Sequence, residues 1–268
     1  GETTPIGILT TIVWSLPIGT TAVGMFGLLQ SRRKVRLARN TFSDDLRGRP
    51  EKLIVIAPTV GRLDTFPGLR RSVWSFARSM TPFFPDCRID IVVEEGRCAA
   101  EALIISLAAR INGEFPDLVR VVEVPANYVT PNKTRFKARA NHFMQLKRIQ
   151  DGEVNASTWV LHMDDDTGTW FDTAQGVSQF IFDNPADNPN AKHFGQGVLS
   201  YPYQNATNKL MWLADAVRPG DDLARFAACT GNGTPIAGAH GELFLIRASV
   251  EAQIGWDFGP KTTVEDAQ

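Results

Sequence analysis

The sequence predicts an α/β fold with a mostly parallel sheet flanked by helices. From residue 51 onward, short runs rich in β-branched residues alternate with segments of helical periodicity. Several of these runs contain five or six consecutive apolar residues, which is typical of strands buried on both faces of a parallel sheet. Because parallel neighbours need a crossover connection, the alternation indicates right-handed βαβ units.

Six strands and five helices are predicted in order along the chain. The strands are expected at 53–58, 88–95, 119–124, 158–163, 197–201 and 242–247. The helices are expected at 67–80, 98–111, 134–150, 171–183 and about 207–227. Ligands of such sheets bind beyond the carboxyl ends of the strands, so the residues that follow each strand are the candidates for function.

Composition excludes several classes of protein. The chain of 268 residues carries 28 Lys and Arg against 29 Asp and Glu, a formal net charge of −1. A general nucleic-acid binder normally carries a clear basic excess, so nucleic acid is not expected as a partner. The three cysteines are too few for a disulfide scaffold and form no CxxC metal pair.

The charges are unevenly distributed along the chain. Residues 3–31 contain no charged side chain, and five basic residues follow within 32–39. About 20 apolar residues cross a bilayer core, and the positive-inside rule places the basic run on the cytoplasmic side. We therefore expect a transmembrane helix at 1–31, a basic collar and linker at 32–50, and a domain at 51–268 that faces the cytoplasm. The alternative is a buried helix of a soluble domain.

Three carboxylates follow the fourth predicted strand, at Asp164, Asp165 and Asp166. Adjacent carboxylates repel one another unless a cation is present, and hard oxygen ligands suit Mg²⁺ or Mn²⁺ held together with substrate phosphates. Strand alternation would place Asp164 and Asp166 on one side and Asp165 on the other. The alternative is an acidic cap in solvent. His162, just before them, is interpreted as structural, with its side chain on the opposite face of the sheet.

Other strand and helix ends carry weaker signals. The first predicted strand ends near Pro58 and Thr59 and the second at Glu94 and Glu95, where an α/β nucleotide site holds base and ribose. Such strand ends are also often plain turns. The segment at 130–141, TPNKTRFKARAN, is basic and opens a helix, and this combination favours phosphate. A solvated basic helix face explains that segment equally well.

An acidic pair lies close to the end of the chain. The loop GWDFG at 255–259 leads to Glu265 and Asp266. A carboxylate placed after such a loop could supply a general base, and a solvated loop is equally compatible with the spacing. The sequence contains no GxGxxG, Walker or HExxH motif.

Taken in order, these motifs resemble the family 2 glycosyltransferases of the GT-A fold, especially the egghead-like β-1,4-mannosyltransferase branch. The matching stretches, which cover most of 119–268, are VPANYVTPNKTRFKARANHF, WVLHMDDDT, FGQGVLSYPYQN, MWLADAVR, GAHGELFLIR and VEAQIGWDFGPKTTVEDAQ. The chain has DDD where that branch tends to have DEE, and Val264-Glu265-Asp266 where relatives have Thr-Glu-Asp. These differences concern the sugar and the acceptor more than the reaction type.

The resemblance implies a membrane-anchored, inverting glycosyltransferase that uses Mn²⁺ or Mg²⁺. It would move a hexose from a nucleotide-diphospho-sugar, GDP-mannose before a UDP-sugar, to a glycan or a lipid-linked acceptor at the lipid bilayer. Relatives of this kind continue into a Gln-x-x-Arg-Trp segment and further membrane helices, so we expect the chain to be truncated at its C-terminus. Alternatives are a processive polysaccharide synthase of the cellulose or hyaluronan type and a non-catalytic module that binds sugar nucleotides.

The resemblance also assigns roles to individual residues. Asp166 and Asp164 would be the metal pair, with Asp166 on the metal that bridges the donor diphosphate. The donor side would comprise Pro58, Thr59, Glu94, Glu95, Lys137, Arg139, Asp164 and Asp165. Asp266, accompanied by Glu265, would be the catalytic base. The acceptor side would be formed by His240, Gly241, Glu242 and Trp256.

Overall fold

The computed structural model describes residues 15, 18–33, 46–200, 208–215, 217–230 and 242–260. The chain divides into two compact units. The smaller one, here called the small unit, holds residues 1–41 and 198–238, and the sheet unit holds residues 42–197 and 239–268. The helix predicted at 207–227 therefore falls in the small unit, which the sequence pattern did not indicate.

Within the described residues, the sheet unit is built on a six-stranded sheet. Its strands are β1 (Lys52–Pro58), β2 (Cys87–Glu94), β3 (Val119–Val124), β4 (Thr158–His162), β5 (Phe194–Gln196) and β6 (Phe244–Arg247). They lie in the order β3-β2-β1-β4-β6-β5. β1 to β4 are mutually parallel, while β6 is antiparallel to both β4 and β5. The mostly parallel sheet predicted from the sequence is confirmed.

The described helices are distributed over both units. In chain order they are α1 (18–33), α2 (Phe66–Met80), α3 (Glu101–Glu114), α4 (Phe136–Gln150), α5 (Phe171–Asp183), α6 (Lys209–Asp215), α7 (Val217–Asp221), α8 (Ala227–Thr230) and α9 (Ala248–Ile254). A π-helical turn, Asp222–Phe226, joins α7 to α8. α1 and the segment from α6 to α8 belong to the small unit, and the other helices belong to the sheet unit.

Alternate strand residues point into two hydrophobic cores, one on each face of the sheet. Leu53 and Val55 of β1 pack with side chains of α2, α3 and α5, whereas Ile54 and Ile56 pack with side chains of α4 and α9. All four are fully buried. A strand covered on both faces has no polar alternation, which is why β1 reads as a continuous apolar run. The predicted layer of helices on each side of the sheet is confirmed.

The fifth strand is the main difference from the predicted elements. It lies at Phe194–Gln196 rather than at 197–201. β5 lies at one edge of the sheet, as β3 does at the other, and Gly195 of β5 stands opposite Leu245 of β6. With three residues, FGQ, β5 carries no apolar run that a sequence pattern could detect, whereas the neighbouring GVLSY segment is more apolar.

Helix α1 lies directly against the π-helical turn and α8 in the small unit. A Cβ atom on Gly27 would lie 1.6 Å from the carbonyl oxygen of Ala224, so only glycine allows this approach. Four residues later, Ser31 Oγ donates a hydrogen bond to the carbonyl oxygen of Leu223 at 2.7 Å. Small residues on one face of α1 therefore bring the two backbones into contact.

In the part of the chain that the structure describes, no helix combines the length and the apolar character needed to cross a membrane. The membrane span predicted at 1–31 is therefore not confirmed. Residues 1–14, 16 and 17 of that span lie outside the described ranges.

Candidate active site

The predicted site lies where the strand order of the sheet reverses. From β1 the sheet continues to β2 and β3 on one side and to β4 on the other. In open α/β sheets, ligands bind at this reversal, outside the carboxyl ends of the strands. Pro58 and Thr59 stand at the end of β1, and Asp164, Asp165 and Asp166 follow β4.

A hydrogen bond joins the ends of β1 and β4. Thr59 Oγ1 donates to Asp165 Oδ2 at 2.5 Å, and it accepts a bond from the backbone N–H of Gly61 at 3.0 Å. Gly61 has a φ of +67°, and a Cβ atom there would lie 2.1 Å from Cys98 Sγ. The turn after β1 therefore requires glycine, and it holds the buried Thr59 hydroxyl in position for Asp165.

The first turn of α4 reaches the ends of β2 and β4. Lys137 Nζ pairs with Asp164 Oδ1 at 2.6 Å, and Arg139 Nη1 pairs with Glu94 Oε1 at 2.6 Å. Arg139 also donates to the carbonyl oxygen of Tyr128 at 3.0 Å. The structure thus connects in two pairs four of the six charged residues that the resemblance assigned to the donor side.

Glu95 is held in a different place from its neighbour Glu94. Its Oε2 accepts a hydrogen bond from the backbone N–H of Ala126, in the loop after β3, at 2.9 Å. The Glu95 side chain is exposed. Of the two glutamates predicted on the donor side, Glu94 is the one that the structure ties to α4.

The three consecutive carboxylates have three different neighbours. β4 ends at His162, and the carboxylates lie in the turn that follows. Asp164 contacts Lys137 of α4, whereas Asp166 lies against α2, with its Cβ 3.3 Å from the position that a Cβ on Gly68 would take. All three lie beyond the last residue of β4, so the expectation that Asp164 and Asp166 share one side stays a prediction. Strand alternation does not continue past the end of the strand.

Negative charge accumulates in this turn. Burial raises the pKa of Asp165, and the charges of Asp166 and Asp164 raise it further, while the hydrogen bond from Thr59 acts in the opposite direction. A nearby cation would favour the ionised forms of these carboxylates. The turn therefore has the electrostatic character of a cation site.

The ligand chemistry of the turn also fits the predicted cation. Carboxylate oxygens are the hard ligands that Mg²⁺ and Mn²⁺ prefer, and such ions are often held by only one or two carboxylates plus substrate phosphates. Among the described residues, no three or more His, Cys, Asp or Glu side chains are grouped to hold a metal ion. A cation at Asp164 and Asp166 would therefore need oxygen atoms of the substrate to complete its coordination.

Three serines of α2 hold the loop that follows the carboxylates. Ser72 Oγ donates to the carbonyl oxygen of Thr167 at 2.5 Å, and the backbone N–H of Thr169 donates to Ser75 Oγ at 2.9 Å. Ser79 Oγ lies 2.9 Å from Thr169 Oγ1. The sequence analysis missed these serines. Their spacing of three and four residues, which places them on one face of a helix, was the available signal.

A buried ionic network lies on the α4 and α9 face, beside the end of β4. Glu251 Oε2 pairs with Arg148 Nη2 at 2.5 Å. Glu251 Oε1 lies 2.7 Å from His162 Nε2 and accepts a bond from Trp256 Nε1 at 2.8 Å. Arg148, His162 and Glu251 are at most 2% exposed. His162, interpreted from the sequence as a structural residue, is buried in this network on the face that α4 and α9 cover.

Burial and neighbouring charges determine the protonation states of Glu251 and His162 in this network. Burial alone would raise the pKa of Glu251, but the charge of Arg148 and the hydrogen bonds from His162 and Trp256 lower it to about 2. Burial lowers the pKa of His162 below its ordinary value, so its ring is neutral at pH 7. Glu251 and Arg148 therefore form the ion pair, and His162 acts as a neutral hydrogen-bond donor.

Two of the four predicted acceptor-side residues are described. The Trp256 ring packs against His162 with a centroid distance of 4.8 Å, which places it beside the buried network. The carbonyl oxygen of Glu242 accepts a bond from Gln196 Nε2 at 2.6 Å. The other acceptor-side residues and the predicted catalytic pair lie outside the described ranges: His240, Gly241, Glu265 and Asp266.

The chain is similar to known β-1,4-mannosyltransferases. It is 32% identical to β-1,4-mannosyltransferase egh of Drosophila melanogaster over 108 residues, which is 40% of this chain and 22% of that protein. It is 29% identical over 154 residues to β-1,4-mannosyltransferase bre-3 of Caenorhabditis briggsae and of Caenorhabditis elegans, which is 55% of this chain and 31% of each relative. The resemblance to the egghead-like branch is confirmed, over less than a third of the length of these relatives.

Other comparisons add little to this relationship. No protein-family model matches the chain. A solved structure of 4-diphosphocytidyl-2C-methyl-D-erythritol synthase aligns with 76% of this chain and 78% of its own, at 12% identity and a TM-score of 0.36. A TM-score at this level does not show a shared fold.

Proposed function

We propose that the protein is an inverting glycosyltransferase of the GT-A fold that transfers a hexose from a nucleotide-diphospho-sugar to a glycan or lipid-linked hydroxyl. One observation carries the proposal: at the reversal of strand order, Lys137 of α4 pairs with Asp164 after β4, and Arg139 pairs with Glu94 at the end of β2. Homology to β-1,4-mannosyltransferases supports the reaction class. It also makes GDP-mannose the preferred donor, with a UDP-sugar second.

The donor would bind across the ends of β1, β2 and β4. Its diphosphate would approach Lys137 and Arg139, because cationic side chains at the N-terminal end of a helix favour phosphate. Its nucleoside would lie near Thr59 and Glu94, at the ends of the two neighbouring strands. Lys137 and Arg139 already pair with carboxylates in the structure. Donor phosphates would therefore compete with Asp164 and Glu94 for these two cations.

A divalent cation would be held by Asp166 and Asp164 together with donor oxygens. Once bound, Mn²⁺ or Mg²⁺ would stabilise the negative charge that develops on the departing diphosphate. The accumulation of negative charge around Asp165 supports such a site. Thr59 and the serines of α2 would keep the carboxylate turn in place while the donor binds.

Asp266 would act as the general base on the acceptor hydroxyl, with Glu265 beside it in the sequence. A single base on one side of the sugar and a departing diphosphate on the other permit direct displacement, which inverts the configuration at the anomeric carbon. His240, Gly241 and Glu242 would shape the acceptor side together with Trp256. The buried network supports this arrangement because it fixes the Trp256 indole.

The protein would be anchored at a lipid bilayer with the sheet unit in the cytoplasm. The uncharged stretch at 3–31 and the basic residues at 32–39 support this part of the proposal. A lipid-linked acceptor would then be held near the membrane surface on which the sheet unit works.

A thermal-shift panel of GDP-mannose, UDP-glucose and ADP-glucose, each with and without Mn²⁺, tests the donor class. A ligand that binds only the folded state stabilises it by about 2.7 kcal/mol at 100 times its Kd. For a chain of this size we expect GDP-mannose with Mn²⁺ to raise the Tm by roughly 5–10 °C.

Two lysines of α4 provide the matched comparison for this panel. Lys137→Met should abolish the shift caused by GDP-mannose, because it removes a cation from the donor side. Lys147→Met, near the other end of the helix, should retain the shift, since Lys147 pairs with Asp151. Equal shifts with all three sugar nucleotides, or none with any of them, would contradict the proposed donor site.

A further inference from the structure

The loop before α4 is held by one aspartate from a distant part of the chain. Asp257 Oδ1 accepts hydrogen bonds from Thr130 Oγ1 at 2.6 Å and from Thr134 Oγ1 at 2.7 Å. Asp257 Oδ2 accepts a bond from the backbone N–H of Asn132 at 2.8 Å, and its carbonyl oxygen accepts one from Asn132 Nδ2 at 3.0 Å. These partners lie 123 to 127 positions away in the sequence.

Further hydrogen bonds connect the two sides of this contact. The backbone N–H of Thr134 donates to Thr130 Oγ1 at 2.7 Å, and the backbone N–H of Gly259 donates to Thr134 Oγ1 at 2.7 Å. Both threonines are almost completely buried. Burial would raise the pKa of Asp257, but the hydrogen bonds from Thr130, Thr134 and Asn132 lower it, so the carboxylate is ionised at neutral pH.

The loop that Asp257 holds is strained. Lys133 has a φ of 61° and Phe136 has a φ of 56°, both in the left-handed region that favours glycine. Backbone strain of this kind persists only where the surrounding structure enforces it, and it is concentrated at functional sites. Asp257 bonds Asn132 and Thr134 on the two sides of Lys133, and Thr134 lies two residues before Phe136, so Asp257 provides that enforcement.

The strained start of α4 carries the two cations of the donor side. Lys137 follows Phe136 directly and reaches Asp164, and Arg139 lies two residues further and reaches Glu94. A shift of the helix start would move both cations relative to the strand ends. The Asp257 carboxylate accepts hydrogen bonds from the loop at 130–134. Asp257 therefore affects Lys137 and Arg139 through this loop.

We infer that Asp257 is a positioning residue for the donor, holding the strained loop at 130–136 so that Lys137 and Arg139 face the strand ends. This inference rests on the proposed function. An asparagine at 257 would keep the size of the side chain. Its NH2 group, however, would face one of the hydrogen-bond donors whose bonds the carboxylate now accepts. A glycine at a strained position would instead remove the need for enforcement, because glycine adopts positive φ freely.

The test compares Asp257→Asn with the triple variant Asp257→Asn/Lys133→Gly/Phe136→Gly. We expect Asp257→Asn to raise the KM for the donor about tenfold while kcat changes less than about threefold, since ground-state and transition-state binding are lost together. The two glycines should recover most of the KM. Both replaced side chains are exposed, so their removal costs few contacts. Asp187→Asn, at an exposed position, is the matched control and should behave as wild type.

Hydrogen exchange of the amides at 130–139 gives a second measurement that does not depend on activity. Asp257→Asn should accelerate exchange in this segment about tenfold or more, and the glycine variant should restore part of the protection. If Asp257→Asn does not fold, Thr130→Val removes one of the same hydrogen bonds and should change KM and exchange in the same direction.

The outcomes separate this inference from the proposed function. If the wild-type protein binds donor, and Asp257→Asn changes neither the KM nor the hydrogen exchange, only the positioning role is overturned. If Asp257→Asn instead raised KM, lowered kcat and unfolded the protein, and the two glycines did not restore these properties, Asp257 would serve general stability. This result would also overturn the positioning role. A wild-type protein that binds no sugar nucleotide would overturn the proposed function, while the exchange measurement would still test the loop.

Discussion

Asp266→Asn is expected to abolish sugar transfer while leaving donor binding nearly intact. A carboxamide has no basic oxygen that can take the proton of the acceptor hydroxyl, and a positioned general base contributes about 10²–10⁴-fold to the rate. We therefore expect kcat at saturating donor to fall by at least about 10²-fold. The shift of the Tm by GDP-mannose, measured in parallel, should remain.

The neighbouring carboxylate supplies the comparison for this prediction. Glu265→Gln changes the same type of group one position earlier and should reduce kcat much less. If instead Glu265→Gln abolished transfer and Asp266→Asn retained it, the base would be Glu265. Full turnover in both variants would remove the acidic pair from the reaction.

Glu251→Gln is expected to lower the free energy of unfolding by about 3–5 kcal/mol, because it leaves the buried charge of Arg148 without a counterion. Arg148 is completely buried and Glu251 is 2% exposed, so water cannot replace the lost partner. Chemical denaturation monitored by Trp fluorescence measures the loss. Glu114→Gln, at an exposed position at the end of α3, should change stability by less than about 0.5 kcal/mol.

Replacing both members of the pair provides an internal control. In Glu251→Gln/Arg148→Met the uncompensated charge is absent, so part of the lost stability should return. A double variant as unstable as Glu251→Gln alone would show that packing, and not the buried charge, determines the effect.

The same network makes stability depend on pH. The pKa of Glu251 is about 2 in the folded protein, below its ordinary value, so its contribution is complete above about pH 4.5 and is lost as the pH falls toward 2. The pKa of His162 is also lowered, so the unfolded chain binds a proton below about pH 6.5 before the folded protein does. Both effects lower stability on acidification, and Glu251→Gln should flatten the acid branch of the stability profile.

The first four strands could be predicted because their apolar residues leave a clear pattern. β1 to β4 lie within one residue of their predicted bounds, since β1 and β4 are buried on both faces and β2 and β3 are rich in Val and Ile. β5 could not be predicted, because its three residues carry neither signal. The helix expected at 207–227 shows another limit, since periodicity reports an apolar face without showing which unit that face packs against.

The candidate site could be predicted as a set of strand ends but not as a set of contacts. The acidic turn and the basic segment at 130–141 are local patterns, whereas the pairing of Lys137 with Asp164 depends on where α4 begins relative to the end of β4. Asp164 and Asp166 have different neighbours, Lys137 and Gly68, because they lie in a turn that strand periodicity does not describe. Asp257 and Glu251 were missed as site supports because their partners lie about a hundred residues away in sequence.

Analysis of the transfer product by NMR tests the central claim most directly. The protein would be incubated with GDP-mannose, Mn²⁺ and a panel of glycolipid acceptors, and the anomeric configuration of the new linkage and the release of GDP would be measured. Because the mannose of GDP-mannose is α-linked, direct displacement by one base predicts a β-linked mannoside and one GDP for each sugar transferred. An α-linked product, or no nucleotide release from any GDP- or UDP-sugar, would contradict the account.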